Sequence, residues 1–196
     1  ENHRRLAARL QEAFAGFLDH TDDQIGRLLA GLDALGELDN TVVVLLSDNG
    51  ASQEGGPFGV MHEMKFFNFM LETPEEAIDR IDDIGGPNSH ANYPWGWAQA
   101  GNTPFKWYKQ NTHEGGVHVP FILSWPGRVA DPGGLRRQFH HAVDVAPTIY
   151  DAIGIEPPAT YRGFEQSPSA GTSMLYTLYA PEEPTRKQVQ YCEMNG

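Results

Sequence analysis

Two short phrases hold the residue types best suited to chemistry. Ser47-Asp48-Asn49-Gly50 closes an apolar run, and Lys109-Gln110-Asn111-Thr112-His113-Glu114-Gly115-Gly116 follows further along the chain. A carboxylate beside an amide carbonyl, as in Asp48 and Asn49, is a hard, oxygen-only pair. It suits Ca²⁺, accommodates Mg²⁺ and fits Zn²⁺ poorly. On its own, Asp-Asn-Gly is also an ordinary turn sequence. Lys109 carries a compact ammonium that can hold an oxyanion and offset charge developing in a transition state, although a single lysine is equally an ordinary surface residue. Gly115 and Gly116 permit close backbone approach to a bound group. His113 carries an imidazole that can pass a proton to a leaving group, or serve as a loop histidine bonded to backbone.

Other polar residues have blander readings. His140 and His141 stand just before Asp144 and read as capping and packing groups for a helix that starts there. Glu54, Lys65 and Lys106 read as solvated faces, and His62 as a satisfied loop histidine. The tryptophans at 95, 97, 107 and 125 read as core or loop anchors.

The elements that must position these groups follow from periodicity. Leu6, Leu10, Phe14, Phe17, Leu18, Ile25, Leu28, Leu29, Leu32 and Leu35 recur at three- and four-residue steps, which predicts a long amphipathic helix stopped by a left-handed Gly36. The run Thr41 to Leu46 is β-branched and apolar throughout, so it predicts a strand buried on both faces of an α/β sheet, with function at its carboxyl end. Residues 50–65 are glycine-rich and read as a loop. Thr73-Pro74-Glu75-Glu76 supplies an N-cap, a first-turn proline and a capping-box glutamate for a short helix ending near Gly85. Pro87 to Thr103 reads as an aromatic, turn-rich loop, and Val117 to Trp125 as a second buried strand. Phe139 to Val143 predicts a short strand, and Asp144 with Pro147 opens a helix that runs to Gly154. The proline-rich stretch after it has little periodicity and reads as a tail wrapping the surface, with a strand starting at Val189.

Composition limits the function classes. The 196 residues, 40% apolar and 11% aromatic, suffice for a buried core. Fourteen Lys and Arg against 26 Asp and Glu give a formal charge of −12, which argues against a broad nucleic-acid or anionic-membrane footprint. No apolar run is long enough for a membrane span. Cys192 is the single cysteine, so neither an intrachain disulfide nor a thiolate zinc cage is available. The compartment stays open, with bacterial cytoplasm or periplasm as the expectation.

Taken jointly, the phrases are more specific than any one of them. Leu18 to Leu29 leads into Asn40 to Gly50. Then come Thr103-Pro104-Phe105-Lys106-Trp107-Tyr108-Lys109, Glu114 to Pro120, Trp125-Pro126-Gly127, His141 to Thr148 and Gly171-Thr172-Ser173. In content and order these resemble the type I sulfatases, of the bacterial arylsulfatase subgroup within the alkaline-phosphatase-like superfamily. The resemblance covers nearly the whole chain. It implies an α/β sandwich with a central, largely parallel sheet between helices, here incomplete. Residues 66–102 then read as a subgroup insertion and 155–196 as the wrapping tail of one catalytic domain.

By that resemblance Asp48 and Asn49 are Ca²⁺ ligands, with Mg²⁺ as the other candidate, and Lys109 binds the sulfate of a small-molecule or sugar sulfate ester. His113 stands where such proteins often have an aromatic residue or a histidine, so the resemblance alone does not fix its role and its catalytic assignment rests on its chemistry. The implied reaction is sulfate-ester hydrolysis by a formylglycine nucleophile made from a Cys/Ser-x-Pro-x-Arg motif. No such motif occurs here, and Cys192 is followed by Glu193-Met194-Asn195 instead. Both ends of the chain therefore read as lying inside a longer protein, with the nucleophile, further metal ligands and the usual leaving-group histidine upstream of Glu1. The chain alone is expected to be inactive, to hold Ca²⁺ weakly and to be poorly folded, because a helix face and sheet edges lack cover. A phosphonate or phosphate ester hydrolase of the same superfamily and a noncatalytic truncated homologue are the alternatives. Asn49 in place of histidine argues against the two-zinc members.

Overall fold

The structure, a computed structural model, describes residues 1–129 and 131–194. In chain order its elements are α1 (Asn2–Ala34), β1 (Val43–Leu46), α2 (Glu63–Phe67), α3 (Pro74–Asp79), α4 (Trp95–Asn102), α5 (Glu114–Val117), β2 (Phe121–Ser124), α6 (Val145–Ile153), β3 (Thr160–Tyr161) and β4 (Phe164–Glu165). The chain divides into two compact units, one built mainly from residues 1–36 and 45–122, the other from 37–44 and 123–192.

The first unit is organised by the start of α1. Leu6 and Leu10, four residues apart on one face, are 0% and 2% exposed. They pack in a cluster with Met61, Ala77, Ile81, Ile84, Tyr93 and Ala98. Polar bonds reinforce the contact: the Arg9 guanidinium donates to the Ile84 carbonyl at 2.6 Å and the Trp97 indole N–H to the Ala7 carbonyl at 3.0 Å. Phe14 meets Tyr93 edge-on at 4.8 Å between centroids. Beyond that point the apolar stripe continues, but Phe17, Leu18, Leu28 and Leu35 are exposed. The stripe thus specifies a longer face than these residues cover. Gly36 closes the helix at φ +73°, as its sequence position predicts.

Most of the apolar partners of α1 come from the stretch between Met61 and Ala98. There α3 begins with the predicted capping box: the Thr73 hydroxyl accepts from the Glu76 N–H, and the Glu76 carboxylate accepts from the Thr73 N–H. The expected aromatic loop at 87–103 instead contains α4, entered through Pro94. Its tryptophans mask a helical run because Pro94 and Gly96 look like turn punctuation. Lys65, expected on a solvated face, pairs at 3.1 Å with the nearly buried Glu72.

β1 and β2 are neighbours in a two-stranded sheet. Beyond the strand ends, the Ser47 N–H donates to Pro120 O at 3.2 Å and the Gly50 N–H to Gly116 O at 3.0 Å. Positions rise on one side as they fall on the other, so the pairing is antiparallel. β1 is not buried on both faces: Val43 and Val44 are half-buried while Leu45 and Leu46 are exposed. Double burial needs layers on both faces of a wide sheet, and the described strands form two-stranded sheets only. The second predicted strand is shorter than expected, because residues 114–117 take a helical turn before Pro120.

In the second unit the predicted helix from Asp144 to Gly154 is present as α6, with Gly154 in the left-handed region. The strand expected at 139–143 is absent, and a 3₁₀ turn at Ala142–Asp144 leads into α6 instead. The tail is partly structural. β3 and β4 form an antiparallel hairpin pairing Thr160 with Glu165, and a 3₁₀ turn at Leu175–Leu178 buries Tyr176, Thr177 and Leu178. A 3₁₀ turn and a two-residue strand are too short to leave a periodic signal. No strand forms at 189–193, and the last two tail residues lie outside those described.

Asp144 is fully buried and anchors this unit. Its Oδ1 accepts from the Lys187 ammonium at 2.9 Å and the Thr172 N–H at 2.8 Å. Its Oδ2 accepts from the His141 N–H at 2.9 Å and lies 3.3 Å from His140 Nδ1. Burial pushes the Asp144 pKa up, but these donors together outweigh it and hold the carboxyl below its ordinary range. His140 and His141 therefore take the capping and packing roles expected of them.

Candidate active site

The site belongs to the first unit and is assembled by backbone. At the end of β1 the Ser47 hydroxyl donates to Asn49 O at 2.6 Å, which tightens the turn. Asn49 Nδ2 donates to Gly50 O at 3.0 Å, so its amide is oriented with the carbonyl oxygen left over. Asp48 is exposed and its carboxylate has no hydrogen bond or ion pair among the described residues. Two uncommitted hard oxygens on adjacent residues fit part of a Ca²⁺ or Mg²⁺ shell, and Ca²⁺ takes about six to eight such ligands. Among the described residues no cluster of three or more His, Cys, Asp or Glu is poised for a metal.

Close packing of glycines brings this turn to the Lys109–Gly116 loop. A Cβ on Gly50 would lie 1.7 Å from Gly115 O, and one on Gly116 2.0 Å from Asn111 O. The Lys109 N–H donates to Ala51 O at 3.1 Å. Asn102, at the end of α4, ties three loops with one side chain. Its Oδ1 accepts from the Ala51 N–H at 3.2 Å, and its Nδ2 donates to Trp107 O at 2.9 Å and Gly115 O at 2.8 Å. The Asp48-Asn49 and Lys109 phrases, distant in sequence, are thereby joined through backbone contacts and the Asn102 side chain.

Lys109 is a half-buried ammonium 2.8 Å from Glu54 Oε2, whose side chain is 10% exposed. Glu54 therefore does not lie on a solvated face as its sequence setting suggests. The Ser52 hydroxyl also donates to Glu54 Oε2, at 3.0 Å, and Asn92 Nδ2 donates to Ser52 Oγ at 2.8 Å. Asn92 also reaches Glu63 Oε1, at 3.5 Å. Desolvation alone would raise the Glu54 pKa, yet the bonds from Lys109 and Ser52 bring it below the usual range. Glu63 moves the other way, raised by burial and by its hydrogen-bonded neighbour Glu54. His113 caps α5 through its backbone and presents an exposed ring with no partner among the described residues. Lys106 is exposed as expected, near the Trp107 ring. His62 sits in an isolated bridge to His90.

The sulfatase family model matches residues 3–155. The chain belongs to the sulfatase family. This sulfatase chain is 28% identical to an arylsulfatase of Klebsiella aerogenes over 87% of its own length and 35% of that protein. It is 31% identical to an uncharacterized sulfatase of Schizosaccharomyces pombe over 79% of the chain and 27% of that protein. It is 32% identical to a rat steryl-sulfatase over 76% of the chain and 20% of that protein. The chain thus spans about a third or less of the curated relatives it matches. Membership implies an alkaline-phosphatase-like α/β fold; the described strands are short and pair only in two-stranded sheets, so the expected sandwich is not seen among the described residues. No helix among the described residues is long and apolar enough to cross a membrane.

Sequence reasoning singled out Asp48, Asn49, Lys109 and His113 but missed Glu54, Glu63 and Asn102. Glu54 precedes Gly55-Gly56, where a loop carboxylate carries no mark of its buried partner. Asn102 sits in Gly-Asn-Thr-Pro, which reads as the end of a turn.

Proposed function

We propose that the intact sulfatase hydrolyses sulfate monoesters of small-molecule or sugar alcohols, with this chain supplying part of the cation site and the sulfate-binding lysine. The observation that carries the reading is the Gly50 to Gly116 bond at 3.0 Å, which joins the Asp48-Asn49 turn to the Lys109 loop. Asp48 and Asn49 would hold Ca²⁺, or Mg²⁺, together with ligands from outside this chain. Such a cation supplies Lewis-acid stabilisation of sulfate oxygens, and a formylglycine, also from outside this chain, supplies the nucleophile. Lys109 binds a sulfate oxygen by charge and offsets the negative charge that develops on the ester oxygens as the bond lengthens. His113, exposed and without a partner among the described residues, would hand a proton to the departing alcohol oxygen. Gly115 and Gly116, free of side chains, let the loop approach closely without blocking the anion.

The test is hydrolysis of 4-nitrophenyl sulfate by the intact protein. Lys109→Ala should lower kcat/KM by about 10²-fold, as for loss of one transition-state donor. His113→Ala should lower it less for this good leaving group than for an alkyl sulfate. The chain alone should show no turnover. An intact protein without sulfate release, or one indifferent to Lys109→Ala, would overturn the reading.

A further inference from the structure

We infer that Glu54 sets the charge Lys109 presents and so makes the site select a monoanionic ester over a dianionic one. The inference rests on the reading of Lys109 as the anion-binding group. The ammonium is already paired at 2.8 Å with a carboxylate that is nearly buried. That carboxylate is not free to swing away. The Ser52 hydroxyl holds Oε2 at 3.0 Å, Gln110 Nε2 lies 3.5 Å from Oε1, and Asn92 fixes Ser52 in turn at 2.8 Å. An anion that reaches Lys109 therefore meets one positive charge and, close behind it, one fixed negative charge.

The other neighbouring acid is common to every variant compared. Glu63 is held by Asn92 at 3.5 Å beside Glu54 and is left in place when Glu54 is changed, so the comparison isolates the Glu54 charge. Repulsion from Glu54 acts once on a sulfate monoester, which is a monoanion. It acts twice on a phosphate monoester, which is mostly a dianion above about pH 6. At a separation of about 5 Å and an effective dielectric between the protein-surface and water values, one extra ligand charge changes affinity by about tenfold. Loss of Lys109 ordering when Glu54 is removed weakens the dianion more than the monoanion, because attraction scales with charge just as repulsion does, and so it raises the preference for sulfate. A carboxylate that merely braced the loop would therefore leave that preference unmoved or raise it, whereas loss of Glu54 repulsion lowers it.

The experiment measures calorimetric binding of methyl sulfate and methyl phosphate to the intact protein at about pH 8, where the phosphate is a dianion. In Glu54→Gln, preference for sulfate over phosphate should fall by about tenfold. Glu54→Asp, which keeps the charge, should retain most of the preference. Ser52→Ala, which loosens the carboxylate without removing it, should shift the ratio in the same direction by less, and it carries the test if Glu54→Gln does not fold. A preference for sulfate that is unchanged or larger in Glu54→Gln, or in Ser52→Ala where that variant stands in, overturns the inference, as does an equal shift in Glu54→Asp. An unsubstituted protein that binds neither anion, or binds both independently of Lys109→Ala, overturns the reading of Lys109 itself.

Discussion

Replacing Gly115 by alanine should damage both the stability and the rate of this site without changing any charge in it. The new Cβ would stand 1.9 Å from Trp107 O and 2.5 Å from Lys106 O, and real Cβ atoms essentially never come within 3.0 Å of such atoms. Both neighbours are backbone, so relief requires about 1.1 Å of movement in one loop or the other. That movement strains the Gly115 N–H to Lys106 O bond at 2.9 Å and the Asn102 to Gly115 O bond at 2.8 Å. Overpacking costs about 1–3 kcal/mol, and each of the two weakened hydrogen bonds about 1 kcal/mol, which together give a loss of about 3–5 kcal/mol. Misplacing a catalytic group by about 1 Å costs on the order of 10²-fold in rate. The assay is chemical denaturation of the intact protein together with kcat/KM for 4-nitrophenyl sulfate. If Gly115→Ala unfolds at the same denaturant concentration and turns over at the same rate, the close approach of the two loops does not position this site.

Other outcomes follow from the same coordinates. Gly26→Ala, in α1 with open space around the added methyl, should stabilise the protein by about 0.5–1 kcal/mol in the same denaturation assay. Asp144→Asn should cost about 3–5 kcal/mol, because it leaves the Lys187 ammonium, 4% exposed, without its counter-charge. Lys187→Met added to Asp144→Asn should recover part of that loss, and strict additivity of the two changes would count against a coupled pair. Asp144 and Glu54 have lowered pKa values, so their stabilisation is present above the unfolded carboxylate pKa and is lost on acidification through their folded values, below about pH 4. Glu63, raised, has the opposite sign, and its contribution fades as pH rises through its folded value. Thermal denaturation between mildly acidic and strongly acidic buffer should show the first effect, and Asp144→Asn should flatten it.

Legibility in the sequence followed element length. The stripe of α1, the Thr73 capping box and the Asp144–Gly154 helix were readable because each repeats or caps over several residues. β1 was located from its β-branched run, but its burial was not, because burial depends on neighbours that a local pattern does not specify. α4 was missed because Pro94 and two tryptophans resemble a loop, although Pro94 in fact precedes the first turn. Of the site, the groups with distinctive chemistry, Asp48, Asn49 and Lys109, were identifiable by residue type. Glu54 and Asn102 were not, since their importance lies in partners 55 and 51 residues away. A carboxylate or an amide in a loop looks the same whether it faces water or a buried ammonium.

The side chain of Asn102 also bears on how the site can move. Its three bonds fasten residues 51, 107 and 115 to one point at the end of a helix. Segments fastened in this way rest on a common support, and the Asp48-Asn49 turn and the Lys109 loop are both placed by one side chain. Loss of that side chain would release both at once. Drift at either segment is correspondingly constrained, because a change that suits one phrase must be tolerated by a carbonyl belonging to the other.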